Sequence, residues 1–97
     1  MPKEIVMYEA GLCGFCMAAK RLLEKKGWQY ESKVVDGNPE LRSEMQKLTG
    51  RTSVPQIFFG DTHVGGFDDM AELEADGELD ALYNDTDGQT SSWLTTT

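Results

Sequence analysis

Cys13 and Cys16 are the only two cysteines of the chain, and they stand two residues apart in Cys13-Gly14-Phe15-Cys16. The pair lies where a short apolar strand, Ile5-Val6-Met7-Tyr8, passes through a turn over Glu9 to Leu12 into a helix whose apolar face carries Met17, Ala18, Leu22 and Leu23. Cys13 therefore falls at or just before a helix N-terminus. Unpaired backbone N–H groups and the positive end of the helix dipole favour negative charge there, so a thiolate is stabilised over a thiol. Only the thiolate attacks a disulfide, and Cys16, nearly one helical turn later, is near enough to close an intramolecular disulfide. The spacing points to redox chemistry.

Other uses of two cysteines fit less well. A structural disulfide across two residues constrains the unfolded chain very little. Half of a zinc site is a second option, but zinc takes four ligands, and beyond this pair the chain offers His63 and no further cysteine. A pair that is merely buried would have no reason to sit at a helix start.

With 97 residues and 39% apolar content the chain makes one small domain around one core. No uninterrupted apolar run approaches the length of a membrane span. Met1-Pro2-Lys3-Glu4 leads straight into the first strand and leaves no room for a signal peptide, so a reducing cytoplasm is the expected compartment.

The net charge of −8 is concentrated in the last third. Residues 68–97 hold nine acidic groups and no Lys or Arg, whereas residues 1–67 balance at +1. The acidic stretch reads as a solvated helix face. Without a basic stripe, nucleic acid and anionic membranes are not expected partners.

The elements alternate along the chain. A helix over residues 14–26 ends in Lys25-Lys26-Gly27, a basic last turn followed by a cap glycine. A strand is expected over Gln29 to Val35. Asn38 then reads as an N-cap with Pro39 at the first helical position, and Leu41, Met45 and Leu48 share one face before Gly50. Val54 and Ile57-Phe58-Phe59 follow as a strand with Pro55 near its start, and Gly60-Asp61 turns into the short strand Thr62 to Val64. Asp68 or Asp69 caps a last helical region containing Met70, Leu73, Leu79 and Leu82, with Gly77 as the point where it can break. The first unit implies parallel strands with a right-handed crossover, and the second an antiparallel hairpin, joined in one mixed sheet with helices on its faces. Trp28 and His63 read as packing and strand residues. Residues 1–83 form the domain. Residues 84–97, in which Trp93 and Leu94 are the only large apolar groups, read as a polar, disordered tail.

Three blocks in this order, LCGFCMAAKRLL, GRTSVPQIFFG and GGFDD, carry a resemblance. Across Glu4 to Leu82 the chain resembles the glutaredoxin family, dithiol class, and within it the bacterial glutaredoxin 3 type. The resemblance implies the thioredoxin fold, an α/β architecture with a four-stranded mixed sheet flanked by helices (β-α-β-α-β-β-α). It also implies reduction of protein disulfides and glutathione mixed disulfides, with glutathione as cosubstrate and disulfide-bonded or glutathionylated proteins as partners.

By the same resemblance, Cys13 is the nucleophile that takes glutathione from a mixed disulfide, and Cys16 is the resolving thiol. The bond matching Val54-Pro55 is cis in the family, and it turns the Val54 N–H and C=O toward the cysteines, where they pair with the glutathione backbone as an added strand would. Gly66, Phe67 and Asp68 match the segment that binds the γ-glutamyl end. Gly66 allows close approach, helix-start N–H groups receive the carboxylate and Asp68 accepts from the ammonium, although Asp68 also reads as an ordinary N-cap. Arg42 matches a polar or basic position that contacts the glycine carboxylate, against the plainer reading of a solvated helix Arg. Phe15 matches an aromatic flanking the tripeptide, and Lys20 a cation near the active site that could stabilise the Cys13 thiolate.

The chain departs from the pattern at several positions. Relatives usually carry a lysine where Ala10 stands, so one cation of the glutathione site is missing and weaker binding is expected. Gly14-Phe15 replaces the commoner Pro-Tyr, and Phe67 replaces a cysteine found in some relatives. A second function of a different class stays open. Some glutaredoxins with a small residue after the first cysteine carry a [2Fe–2S] cluster between two chains, held by the first cysteine of each and two glutathiones. A monomer is expected unless such a cluster bridges two copies.

Overall fold

Alternation along the strands decides which side of the sheet each helix covers. The structure, a computed structural model, describes residues 4–84. Its elements run β1 (Ile5–Glu9), α1 (Gly14–Lys26), β2 (Glu31–Val34), α2 (Pro39–Thr49), β3 (Gln56–Phe59), β4 (Thr62–Gly65), α3 (Phe67–Ala75) and α4 (Leu79–Asn84). The four strands form one sheet in the order β2-β1-β3-β4. β1 pairs parallel with β2 and antiparallel with β3, and β3 pairs antiparallel with β4.

Successive strand residues point to opposite faces. Ile5 and Met7 of β1 and Ile57 and Phe59 of β3 point to one face, where they meet Ala19 and Leu23 of α1, Met70 of α3 and Leu79 of α4, all at most 1% exposed. Val6, Tyr8 and Phe58 point to the other, with Val35 and the α2 residues Leu41 and Met45. α2 therefore covers one side of the sheet while α1, α3 and α4 cover the other. Trp28 belongs to the larger cluster, with its ring stacked on Tyr83 and edge-on to Phe59.

Local chemistry sets the helix boundaries. The Asn38 carboxamide accepts from Leu41 N–H at 3.1 Å with Pro39 behind it, as the sequence leads one to expect. α1 ends at Gly27, whose left-handed φ of 76° a residue with a side chain rarely adopts. Gly77 separates α3 from α4, and Lys26 of α1 ties the two together, its Nζ lying 2.7 Å from both Glu74 and Asp80.

Several strand boundaries differ from the sequence reading. β1 continues through Glu9, because Val34 supplies a parallel partner there. β2 begins at Glu31 instead of Gln29, where its ladder with β1 opens at Val6 opposite Glu31. β3 begins only after Pro55, which has no N–H to give the ladder. The expected tail lies outside the described residues except for Asn84, which closes α4. Among the described residues, no helix is long and apolar enough to cross a membrane.

Candidate functional site

Cys13 is the N-cap of α1, in extended conformation, and its Sγ accepts the Cys16 backbone N–H at 3.1 Å. The chain leaves β1 in a tight loop braced by the Gly11 N–H donating to Asp36 at 2.8 Å. The strand and helix are thus fixed on both sides of the sulfur. Across from it stands the loop before β3, where the Val54-Pro55 bond is cis and the Val54 carbonyl oxygen lies 3.8 Å from Cys13 Sγ.

The two thiols have different surroundings. Cys13 is partly exposed, whereas Cys16 is 1% exposed beneath it, and neither is in a disulfide. Burial pushes the Cys16 thiol up to about 12, reinforced by its contact with Cys13 and the nearby Glu9 charge and opposed by a hydrogen bond from the Ala10 backbone. Cys13 can therefore meet a substrate first, while Cys16 stays a protected thiol below it.

A groove of about 270 Å³ runs past this loop. Of the residues singled out from sequence, Phe15, Val54, Pro55, Gly66, Phe67 and Asp68 line it. Phe15 is 61% exposed and lies face to face with Phe67 at 6.4 Å between ring centres, joining the helix of the cysteines to the start of α3. Gly66 packs against the cis-proline loop: a Cβ there would stand 3.4 Å from the Pro55 carbonyl oxygen.

Lys20 and Arg42 do not line this groove. Lys20 Nζ sits 2.5 Å from the buried carboxylate of Glu9. Arg42 reaches toward Asp36 at 3.9 Å and the Thr52 carbonyl at 3.5 Å. The charged side chains that do line it, beside Asp68, are Arg51 and Asp69, and Ser53 and Gln56 complete the wall. Sequence reasoning missed Arg51, although its position three residues before Val54-Pro55 was a usable signal.

The start of α3 is held by the second aspartate of its pair. Gly66 is the N-cap, and its N–H donates to Asp69 Oδ2 at 2.9 Å, while Arg51 Nη1 lies 3.2 Å from the same oxygen. These two partners, the N–H first, hold the Asp69 carboxyl below its usual range. The stabilisation this brings is present above about pH 4 and is lost as pH falls through the lowered value. Asp68, exposed in the first turn, leaves that cap to its neighbour.

Gly65 makes this arrangement possible. Its φ is +116°, and a Cβ there would stand 2.2 Å from Asp69 Oδ2 and 2.7 Å from its Cγ. Gly65→Ala is expected to destabilise the fold by about 2 kcal/mol, from a strained backbone and a lost helix-start hydrogen bond together. The check is a lower urea midpoint at unchanged m-value.

An accessible sulfur at a helix start with a protected thiol beneath it is equipped for thiol–disulfide exchange, and the sheet order with helices on both faces is the thioredoxin fold. Comparison with known proteins narrows the class. The glutaredoxin family model matches residues 5–64. The chain is 49% identical over 80 residues to a glutaredoxin of Pseudomonas aeruginosa, an alignment covering 82% of this chain and 95% of that one. It is 45% identical over 78 residues to glutaredoxin 3 of Escherichia coli, covering 80% and 94% respectively. Among solved structures, the buckwheat glutaredoxin in complex with glutathione is similar at a TM-score of 0.77 and 27% identity, covering 84% of this chain and 76% of that one. The chain belongs to the glutaredoxin family of thiol oxidoreductases.

Proposed function

We propose that this chain is a glutathione-dependent thiol–disulfide oxidoreductase that reduces glutathione mixed disulfides and protein disulfides. The observation that carries the reading is the groove that runs from Phe15 past Val54 to the start of α3, with the Val54 carbonyl oxygen on its wall 3.8 Å from Cys13 Sγ, in a chain similar to a glutaredoxin solved with glutathione. In the first step the Cys13 thiolate attacks the glutathionyl sulfur, the substrate thiolate leaves and takes up a proton, and a Cys13–glutathione disulfide forms. In the second, another glutathione thiolate attacks that disulfide, oxidised glutathione leaves and Cys13 is restored. For a protein disulfide, Cys16 attacks the Cys13 mixed disulfide instead, and two glutathiones later reduce the Cys13–Cys16 bond.

We place the cysteinyl backbone of glutathione along Val54 as an added strand. The γ-glutamyl carboxylate goes to the N–H groups at Phe67 and Asp68, its ammonium to the Asp68 carboxylate, and the tripeptide flank to Phe15 and Phe67. Arg51, paired with Asp69, is the cation of the groove wall, which Arg42 and Lys20 do not line. We assign the activity to residues 1–83 acting as a monomer in a reducing cytoplasm.

The test is the NADPH-coupled reduction of a glutathione mixed disulfide, with glutathione and glutathione reductase supplied. Turnover that saturates with mixed disulfide supports the reading. Negligible turnover by folded protein would overturn it and move the assignment to the [2Fe–2S] carrier. For that reading the open space beside Gly14, where a Cβ would meet nothing within 4 Å, leaves room next to Cys13.

A further inference from the structure

Beneath the site lies an ion pair between a buried carboxylate and a half-buried lysine that the proposed reaction does not use. Glu9, at the end of β1, is 2% exposed. Its carboxylate receives Lys20 Nζ at 2.5 Å and the hydroxyl of Ser32 from β2. Cys16 and Lys20 are four residues apart on α1, so they share one helix face, and Lys20 reaches Glu9 from that face. The titratable groups bearing on Cys16 are Cys13, Glu9 and Lys20, and those bearing on Lys20 are Glu9, Tyr30 and Cys16.

We propose that the Glu9–Lys20 pair restrains the resolving thiol: Glu9 holds negative charge against Cys16 and at the same time keeps the Lys20 cation on itself, so Cys16 attacks a Cys13 mixed disulfide slowly. Glu9 is then a positioning residue that divides the mixed disulfide between its two fates. A slow internal attack leaves time for an external thiol such as glutathione to complete the cycle through Cys13 alone. The direction follows from charge. A thiolate forming on Cys16 is repelled by Glu9, and the neighbouring cation that would favour it is already neutralised. The inference rests on the proposed order of attack, Cys13 first and Cys16 second.

Ellman's reagent reads both steps without needing a glutathione site. The Cys13 thiolate attacks the aryl disulfide and releases one coloured arylthiolate. Cys16 then loses its proton to solvent and attacks the Cys13 sulfur, releasing the second arylthiolate and closing the Cys13–Cys16 bond. The dithiol is oxidised by two electrons and the reagent is reduced by two. The quantity to follow by stopped flow is the ratio of second-step to first-step rate.

Each unit by which the Cys16 thiol is eased raises its attack rate only about threefold, because intrinsic nucleophilicity falls as thiolate fraction rises. Glu9→Gln, which keeps the shape and one accepting oxygen for Ser32, is expected to raise the ratio by up to about threefold, since burial and Cys13 weigh more on the Cys16 thiol than Glu9 does. Lys20→Met, which leaves Glu9 uncompensated, is expected to lower it. Opposite signs are the signature, since loosened packing alone would move both variants the same way. A ratio unchanged or lowered in folded Glu9→Gln, or two shifts of the same sign, would overturn the proposal. If Glu9→Gln does not fold, as judged by far-ultraviolet circular dichroism, the sign of the Lys20→Met shift decides alone. Absent glutathione turnover with an intact Ellman pattern would strike the proposed function and not this inference.

Discussion

Cys13→Ser is expected to lower turnover of a glutathione mixed disulfide by at least about a thousandfold, because a serine hydroxyl cannot replace the only accessible thiol as nucleophile. Cys16→Ser should retain much of that activity, since a second glutathione can release the first from Cys13 without help from below. The two variants should converge on a protein disulfide, whose mixed intermediate needs Cys16 to expel the substrate. The asymmetry is geometric: Cys13 is partly exposed at the helix start with Val54 beside it, and Cys16 is 1% exposed. Steady-state rates of both variants on both substrate classes are the check. Equal and total loss from both variants on the mixed disulfide would remove the single-thiol route.

The second large effect is chemical protection of Cys16. In reduced wild-type protein at pH 8, iodoacetamide is expected to modify Cys16 at least about a hundredfold more slowly than in the urea-unfolded chain. With the thiol pushed up to about 12, chiefly by burial, its thiolate fraction at pH 8 falls about a thousandfold below that of an ordinary thiol. Higher intrinsic nucleophilicity returns roughly a factor of thirty. Exposure of 1% then limits access of the reagent to the sulfur. Mass spectrometry of the peptide containing both cysteines separates the two sites. The linkage to stability has a definite sign. A thiol raised by folding stabilises the native state fully below about pH 9, and that contribution is lost as pH rises toward 12.

Much of the fold could be read locally. Asn38-Pro39 opens α2 and Gly27 closes α1, because caps depend on residues within one turn of them. Ile57-Phe58-Phe59 makes a strand whose residues divide between the two faces of the sheet. The start of β2 could not be read this way, since Gln29 and Tyr30 have strand-like chemistry and yet stand outside the ladder with β1. The capping aspartate was ambiguous for a similar reason. Asp68 and Asp69 are both possible caps, and the choice follows from where Arg51 and the Gly65–Gly66 turn lie in space.

The cysteine pair, its helix-start position and the order of strands and helices were determined by the sequence alone, because each depends on near-neighbour periodicity, capping or residue type. Only the tertiary structure decided that Lys20 serves Glu9, that Arg51 and not Arg42 lines the groove, and that Asp69 holds the start of α3. Lys20 and Glu9 are 11 positions apart and Arg51 and Asp69 are 18 apart, while the groove wall brings α1, the loop before β3 and the start of α3 together. No local rule fixes them, since a charged side chain's partner is set by the packing of the sheet and helices that carry it.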